Sequence, residues 1–154
     1  MKQLYDVDKL FNEAENVEEI KQSFIHIANR ELGYRKLNEF TYEEVLDDIE
    51  DFAEDIIYRE DKSNLQKINV GLRKFTNFML ERKFLIDQEV LTCASKVAYL
   101  VSILRSNEQT LEKYEGQKIL GVEIPKEYKR RLKVIQKTNE EAYYYIVKSL
   151  DLDS

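Results

Sequence analysis

Residues 87–105 read DQEVLTCASKVAYLVSILR, and this stretch decides the fold. Apolar side chains fall on most of the circumference of the helix that it predicts: Val90, Leu91, Ala94, Val97, Ala98, Leu100, Val101 and Leu104. A helix of this kind is buried among other elements, because a surface helix needs only one apolar stripe. The sequence therefore predicts a central helix that is capped by Asp87, ends near Arg105 and is surrounded by other helices.

The remaining segments show the 3.6-residue period of amphipathic helices. One proline and four glycines leave little turn chemistry for β-hairpins. Helices are predicted over residues 8–15, from Asn16 to Gly33, from the capping box of Thr41 and Glu44 to about Ile57, from a cap at Ser63 or Asn64 to about Met79, and over residues 107–115 and 125–150. We therefore predict an all-α single domain over residues 1–154, a bundle of about six or seven mostly antiparallel helices.

Composition is typical of a globular protein of the cytoplasm. A hydrophobic content of 43% supplies a core, and the net charge of −6 disfavours non-specific binding to nucleic acid or to an anionic membrane. Cys93 is the only cysteine, which excludes a disulfide framework and a multi-cysteine metal site. No stretch of about 18 consecutive apolar residues occurs, and the N-terminal residues have no apolar signal region. We therefore expect a cytoplasmic protein with no membrane contact.

Residues 41–61, TYEEVLDDIEDFAEDIIYRED, hold ten carboxylates and one base. The apolar residues of this predicted helix, Phe52 among them, form one stripe centred on Ile49, so the carboxylates point away from the core. The outermost carboxylates define an acidic face: Glu44, Asp47, Asp51 and Glu54. This face is interpreted either as solvated surface or as a docking site for a basic partner.

The same carboxylates also have the i, i+3 spacing of a magnesium site. Glu44-x-x-Asp47, Asp47-x-x-Glu50 and Asp51-x-x-Glu54 resemble half of the paired acidic motifs of all-α nucleotide pyrophosphohydrolases, and Glu112-x-x-Glu115 is the other candidate half. In such enzymes the acids have to face a cleft between helices, whereas these acids face outward. We therefore predict no metal site and no cofactor, and keep the magnesium-dependent pyrophosphohydrolase as the weaker alternative.

A basic row follows the last predicted helix. It consists of Lys126, Arg130, Lys133 and Lys137, at i, i+4, i+7 and i+11, and it spans about 16 Å at 1.5 Å per residue. Lys129 lies at its edge, and Tyr144 is predicted on the same outward side. Such a row can contact successive phosphates while the tyrosine stacks on a base, so nucleic acid is a candidate partner. A protein partner and a merely solvated face are the other interpretations.

Residues typical of catalysis are scarce. His26 is the only histidine, and Cys93 lies in the most apolar helix, so we predict an incidental histidine, an inert thiol and no catalytic residue. The chain is therefore predicted to be a non-catalytic interaction protein that docks a protein partner through charged helical faces. A homo-oligomer is one form of that prediction, and an RNA- or DNA-binding small subunit is the alternative.

Overall fold

Seven α-helices and one π-helical turn build the part of the chain that the computed structural model describes, which is residues 2–37, 39–59, 62–77 and 85–153. Their bounds are α1 Lys2–Glu13, α2 Val17–Arg35, α3 Tyr42–Tyr58, α4 Lys62–Thr76, the π-helical turn Ile86–Val90, α5 Leu91–Arg105, α6 Lys129–Thr138 and α7 Glu140–Leu152. The all-α bundle is confirmed. Within the described residues, no helix is long and apolar enough to cross a bilayer.

Helix α5 is the centre of the bundle, as its sequence predicts. Twelve of its fifteen side chains are buried, and α1, α3, α7 and the π-helical turn pack directly against it. Its beginning differs from the prediction, since Asp87 does not cap it. The chain enters through the π-helical turn, where the side chain of Glu89 accepts a hydrogen bond from the backbone N–H of Leu85 (2.9 Å).

The capping signals of the sequence are largely confirmed. Thr41 and Glu44 form both bonds of a capping box at the start of α3, with Glu44 accepting from the Thr41 backbone at 2.8 Å. Asn16 caps α2 through the N–H of Glu19. The end of α2 is different, because the helix continues through Gly33 and stops at Lys36, which has a left-handed backbone with φ of 58°. Met79, predicted at the end of the fourth helix, lies outside the described residues.

The single long helix predicted over 125–150 is wrong, because the chain breaks at Asn139. The backbone N–H of Asn139 closes α6 on the carbonyl of Ile135, and its side chain caps α7 by accepting from the N–H of Ala142 (3.0 Å). The same amide group donates to Thr92 and to the carbonyl of Gln88. Asparagine is a favoured N-cap, so these bonds together outweigh continuation of the helix.

The short helix predicted over 107–115 is also absent, and residues 106–128 form neither helix nor strand. The hydroxyl groups of two buried tyrosines accept hydrogen bonds from backbone N–H groups that would otherwise bond within a helix. The hydroxyl of Tyr145 accepts from the N–H of Tyr114 (2.9 Å), and the hydroxyl of Tyr99 accepts from the N–H of Glu112 (3.3 Å). Leu111 is buried in the same hydrophobic cluster as these two tyrosines. Tertiary contacts therefore override the local helical pattern.

One buried cation connects three helices. The ammonium group of Lys96 on α5 lies 2.8 Å from a carboxylate oxygen of Asp8 and 3.1 Å from the amide oxygen of Asn12, both on α1. It also lies 3.0 Å from a carboxylate oxygen of Glu141 on α7. Burial alone lowers the pKa of Lys96, but the hydrogen bonds to Asp8 and Glu141 outweigh it, and the pKa is raised. The lysine therefore stays charged in the interior.

Replacement of Lys96 tests the weight of this network. Lys96→Met leaves the carboxylate of Asp8, which is only 14% exposed, without its buried cation. We expect the free energy of unfolding to fall by about 3 kcal/mol in urea denaturation, because an unpaired buried charge is costly. The matched control is Lys9→Met, whose ammonium group contacts Asp8 from the surface and should change stability by less than about 0.5 kcal/mol. Equal stability of the two variants would contradict the assignment.

Candidate functional site: two charged helix faces

The inner side of α3 fixes the direction of its carboxylates. Leu46, Ala53, Ile56 and Ile57 are buried against α5 and its neighbours, so the acids of the helix lie on its outer side. Phe52, predicted in the buried stripe, is 39% exposed instead. It lies at the margin between the buried side and the acids, where the packed helices no longer cover it.

The structure divides the predicted acidic face. Glu44 is exposed and completes the capping box, while Asp47 forms an ion pair with Arg105. Asp51 is exposed, and Glu54 is half-buried. The four carboxylates therefore do not form one uniform surface, and two of them have defined structural roles.

Arg105 was not predicted to belong to this face. It lies at the C-terminal end of α5, where a cation is favoured by the helix dipole, and its two terminal nitrogens bind Asp47 and Glu50 of α3. Burial lowers the pKa of Arg105, but the hydrogen bond to Glu50 outweighs it and the pKa is raised. These acids hold α3 on α5. The pairing escaped prediction because Arg105 is more than fifty residues away in sequence.

A different set of carboxylates on α3 has no basic neighbour among the described residues. We call Glu44, Asp48, Asp51 and Asp55 the acidic row, since they follow one another at i, i+4, i+7 and i+11. The side-chain contacts found for Glu44 and Asp55 are with neutral groups, Thr41 and Asn64 respectively. Among the described residues, no basic group lies within 4.0 Å of any member of the row. Glu44, Asp48 and Asp51 are exposed and Asp55 is half-buried, so the acidic row makes the outer side of α3 negative.

The basic row is exposed along α6. Leu132 and Ile135 are fully buried on the inner side of this helix, which places Arg130, Lys133 and Lys137 on the outer side. Lys129 begins the helix and is exposed, and Lys126 is exposed in the turn before it. Within the described part of the chain, no carboxylate lies within 4.0 Å of these five bases.

Helix α6 is fixed to the end of α3. Arg131, on the inner side of α6, donates from Nε to the carbonyl oxygen of Ile57 (2.8 Å). The rings of Tyr58 and Tyr128 stack with centroids 3.8 Å apart. The first turn of α6 contains bases and no acid, so its positive side chains add to the positive end of the helix dipole. The beginning of α6 is therefore the most positive part of this surface.

Tyr144 does not belong to the basic row, which corrects its predicted position. It is 2% exposed, its hydroxyl donates to Glu112 (3.0 Å), and its ring packs against Tyr145 with centroids 5.2 Å apart. The reason is the break at Asn139, because α7 begins with its own cap and does not continue the register of α6. A base cannot stack on this buried ring.

The predicted halves of a magnesium site do not come together as a group. Glu112 lies in the irregular segment, where it accepts hydrogen bonds from Tyr144 and from Lys148 (2.8 Å). The interaction with Lys148 holds the pKa of Glu112 below its ordinary value. A search of the described residues finds no group of three or more His, Cys, Asp or Glu side chains arranged for a metal ion.

Cys93 is buried, and burial raises the pKa of its thiol to about 12. A thiol with such a pKa holds almost no thiolate at neutral pH, and the inert character of Cys93 stays a prediction. His26 is exposed on α2 and, with Gln22, Ile25, Asn29 and Arg30, lines an open depression of about 480 Å³. All of these lining residues come from one side of a single helix.

Comparison of the chain with known proteins identifies no similar protein. A scan against protein-family models finds no match, and searches of the curated proteins and of the solved structures also find none that is significantly similar. The function has to be argued from the geometry and charge of the two rows.

The division of the acids on α3 can be tested by stability. Arg105→Gln removes both ion pairs to α3 and should lower the free energy of unfolding by about 1 kcal/mol. Asp51→Asn should leave it unchanged or raise it by a few tenths of a kcal/mol, because it removes repulsion within the acidic row. Urea denaturation at low ionic strength measures both effects, and a loss of stability in Asp51→Asn would contradict the assignment.

The lowered pKa of Glu112 predicts a pH effect. Its carboxylate stabilises the fold above the ordinary value of 4.5, and this contribution disappears as the pH falls through the lower pKa of the folded state. The melting temperature of Glu112→Gln should therefore fall less than that of the wild type between pH 5 and pH 3. If the two melting curves respond equally to pH, the contacts of Glu112 with Lys148 and Tyr144 do not stabilise the charged form.

Proposed function

We propose that this protein is a non-catalytic interaction protein that docks a protein partner through its charged helical faces, with α6 as the principal docking surface. The observation that carries the proposal is the basic row: its exposed bases have no carboxylate neighbour among the described residues, in a molecule with a net charge of −6. Uncompensated charge on one helix steers an oppositely charged surface toward it and fixes the orientation of docking.

A protein partner explains this surface better than nucleic acid does. Val134 lies beside the basic row and is 49% exposed, so the surface combines charge with an apolar contact, as protein interfaces do. With Tyr144 buried, the row has lost its candidate for stacking on a base. Phosphate contacts alone remain for nucleic acid, and the acidic molecule as a whole repels a polyanion. The cytoplasmic location and the absence of catalysis stay predictions of this proposal.

The test is co-purification from the native host with three forms of the chain, after nuclease treatment. The wild type should retain a protein partner that is released at high salt, because screening weakens contacts between exposed charges. Arg130→Glu, Lys133→Glu and Lys137→Glu together should reduce the recovered partner by about tenfold or more.

The matched control changes three exposed bases on other helices, Arg30→Glu, Lys67→Glu and Lys74→Glu, and should retain the partner. An equal loss in both triple variants would show that only net charge matters, and full retention by the α6 variant would refute the docking surface. Titration of single-stranded RNA, single-stranded DNA and duplex DNA completes the design. A negative slope of log K against log salt that vanishes in the α6 variant would establish nucleic acid as the partner instead.

A further inference from the structure

The acidic row on α3 and the basic row on α6 have the same spacing and opposite charge. Glu44, Asp48, Asp51 and Asp55 lie at i, i+4, i+7 and i+11, and so do Lys126, Arg130, Lys133 and Lys137. Because the intervals 4, 3 and 4 are symmetric, the two rows match in either relative direction. Arg130, Lys133 and Lys137 lie on α6, which rises about 1.5 Å per residue as α3 does, so equal intervals bring these charges to equal distances, whereas Lys126 lies in the turn before the helix.

An exposed apolar side chain occupies the same place beside each row. Phe52 comes four residues after Asp48 and three before Asp55, and it is 39% exposed. Val134 comes four residues after Arg130 and three before Lys137, and it is 49% exposed. The two faces thus carry one pattern, with a charge at i, i+3 and i+7 and an apolar residue at i+4.

These faces do not pair within one molecule. In the described part of the chain, no ion pair joins a member of one row to a member of the other. The position of α6 is set by its inner side, through the bond from Arg131 to Ile57 and the stacked rings of Tyr58 and Tyr128. Among the described residues, both rows lie on the outer sides of their helices, with Asp55 half-buried, so each row is open to contact with another molecule.

We propose that the occupant of α6 is a second copy of this chain, whose acidic row docks on the basic row. In an antiparallel pairing of this shared pattern, Asp48 faces Lys137 and Asp55 faces Arg130. Asp51 then lies one residue out of step with Lys133, and Phe52 and Val134 lie on the same side of the contact. Glu44 and Lys126 fall outside this pairing. This inference rests on the proposed function of α6 as a docking surface and names its partner. Since the contact joins two different patches, it either closes into a ring or pair or extends into a chain.

The contact is weak and sensitive to salt. Its ion pairs are exposed and are screened by electrolyte, and a single apolar contact accompanies them. Sedimentation velocity of the wild type at about 100 µM protein should therefore show a weight-average mass above the monomer value of 18.4 kDa in about 50 mM NaCl and close to it in about 500 mM NaCl.

Charge exchange gives the decisive experiment. One variant carries Asp48→Lys and Asp51→Lys, which place two positive charges at the centre of the acidic row and leave the hydrogen bond of Asp55 intact. The other carries Arg130→Glu, Lys133→Glu and Lys137→Glu, which make α6 negative. Each variant alone now opposes like charges at the contact and should sediment as a monomer. An equimolar mixture should associate, because the unchanged acidic row of the α6 variant meets the unchanged basic row of the α3 variant.

Matched controls keep the outcome decisive. Arg30→Glu with Lys67→Glu and Lys74→Glu should associate like the wild type, and Phe52→Ser should associate more weakly at equal charge. Circular dichroism and the melting temperature confirm that each variant is folded. A monomeric wild type in low salt, or a mixture of the two exchanged variants that stays monomeric, would overturn the inference. If a host partner is nevertheless lost from the α6 variant, the docking function stands and only self-association is refuted.

Discussion

The buried ammonium group of Lys96 is the constraint on which the rest of the bundle depends. It needs the carboxylates of Asp8 and Glu141 and the amide oxygen of Asn12 close by, which brings α1 and α7 together against the central helix. The rings of Phe11 and Tyr145 lie 5.5 Å and 5.7 Å from the same group and complete its surroundings. Apolar burial supplies most of the folding energy, while this one charge specifies which faces of the three helices meet.

Charge outside the core is divided between groups that hold the fold together and groups to which our proposals assign recognition. Arg105 engages Asp47 and Glu50, and Lys148 engages Glu112, so these acids hold elements of the fold together. The acidic row and the basic row, whose members have no oppositely charged group within 4.0 Å among the described residues, are the surfaces that our proposals use. The separation arises because helical periodicity sends one set of charges toward neighbouring helices and the other toward solvent. A single acidic stretch of sequence thus contains both the acids that pair with Arg105 and the acids of the acidic row.

The parts of the fold that depend on local signals could be predicted from the sequence. The burial of α5 follows from the apolar residues around its circumference, and the start of α3 follows from its capping box. Both signals lie within a short stretch of sequence. The break at Asn139 has a local trace, because asparagine followed by Glu140 and Glu141 is typical of a helix beginning, yet bonds to Thr92 and Gln88 reinforce it. The irregular segment 106–128 depends on the hydroxyls of Tyr99 and Tyr145, which no short-range pattern reveals. The predicted outward position of Tyr144 was wrong because it assumed one helix through Asn139, whereas the chain breaks there.

Helix α6 contributes only two fully buried side chains, Leu132 and Ile135, to a core that α5 and α7 dominate. Asn139 ends it on one side, and the irregular segment precedes it on the other. The outer residues of α6 therefore contribute little to the stability of the bundle, and substitutions there should change the free energy of unfolding only slightly. The charge of that helix can therefore be altered without disturbing the interior built around Lys96.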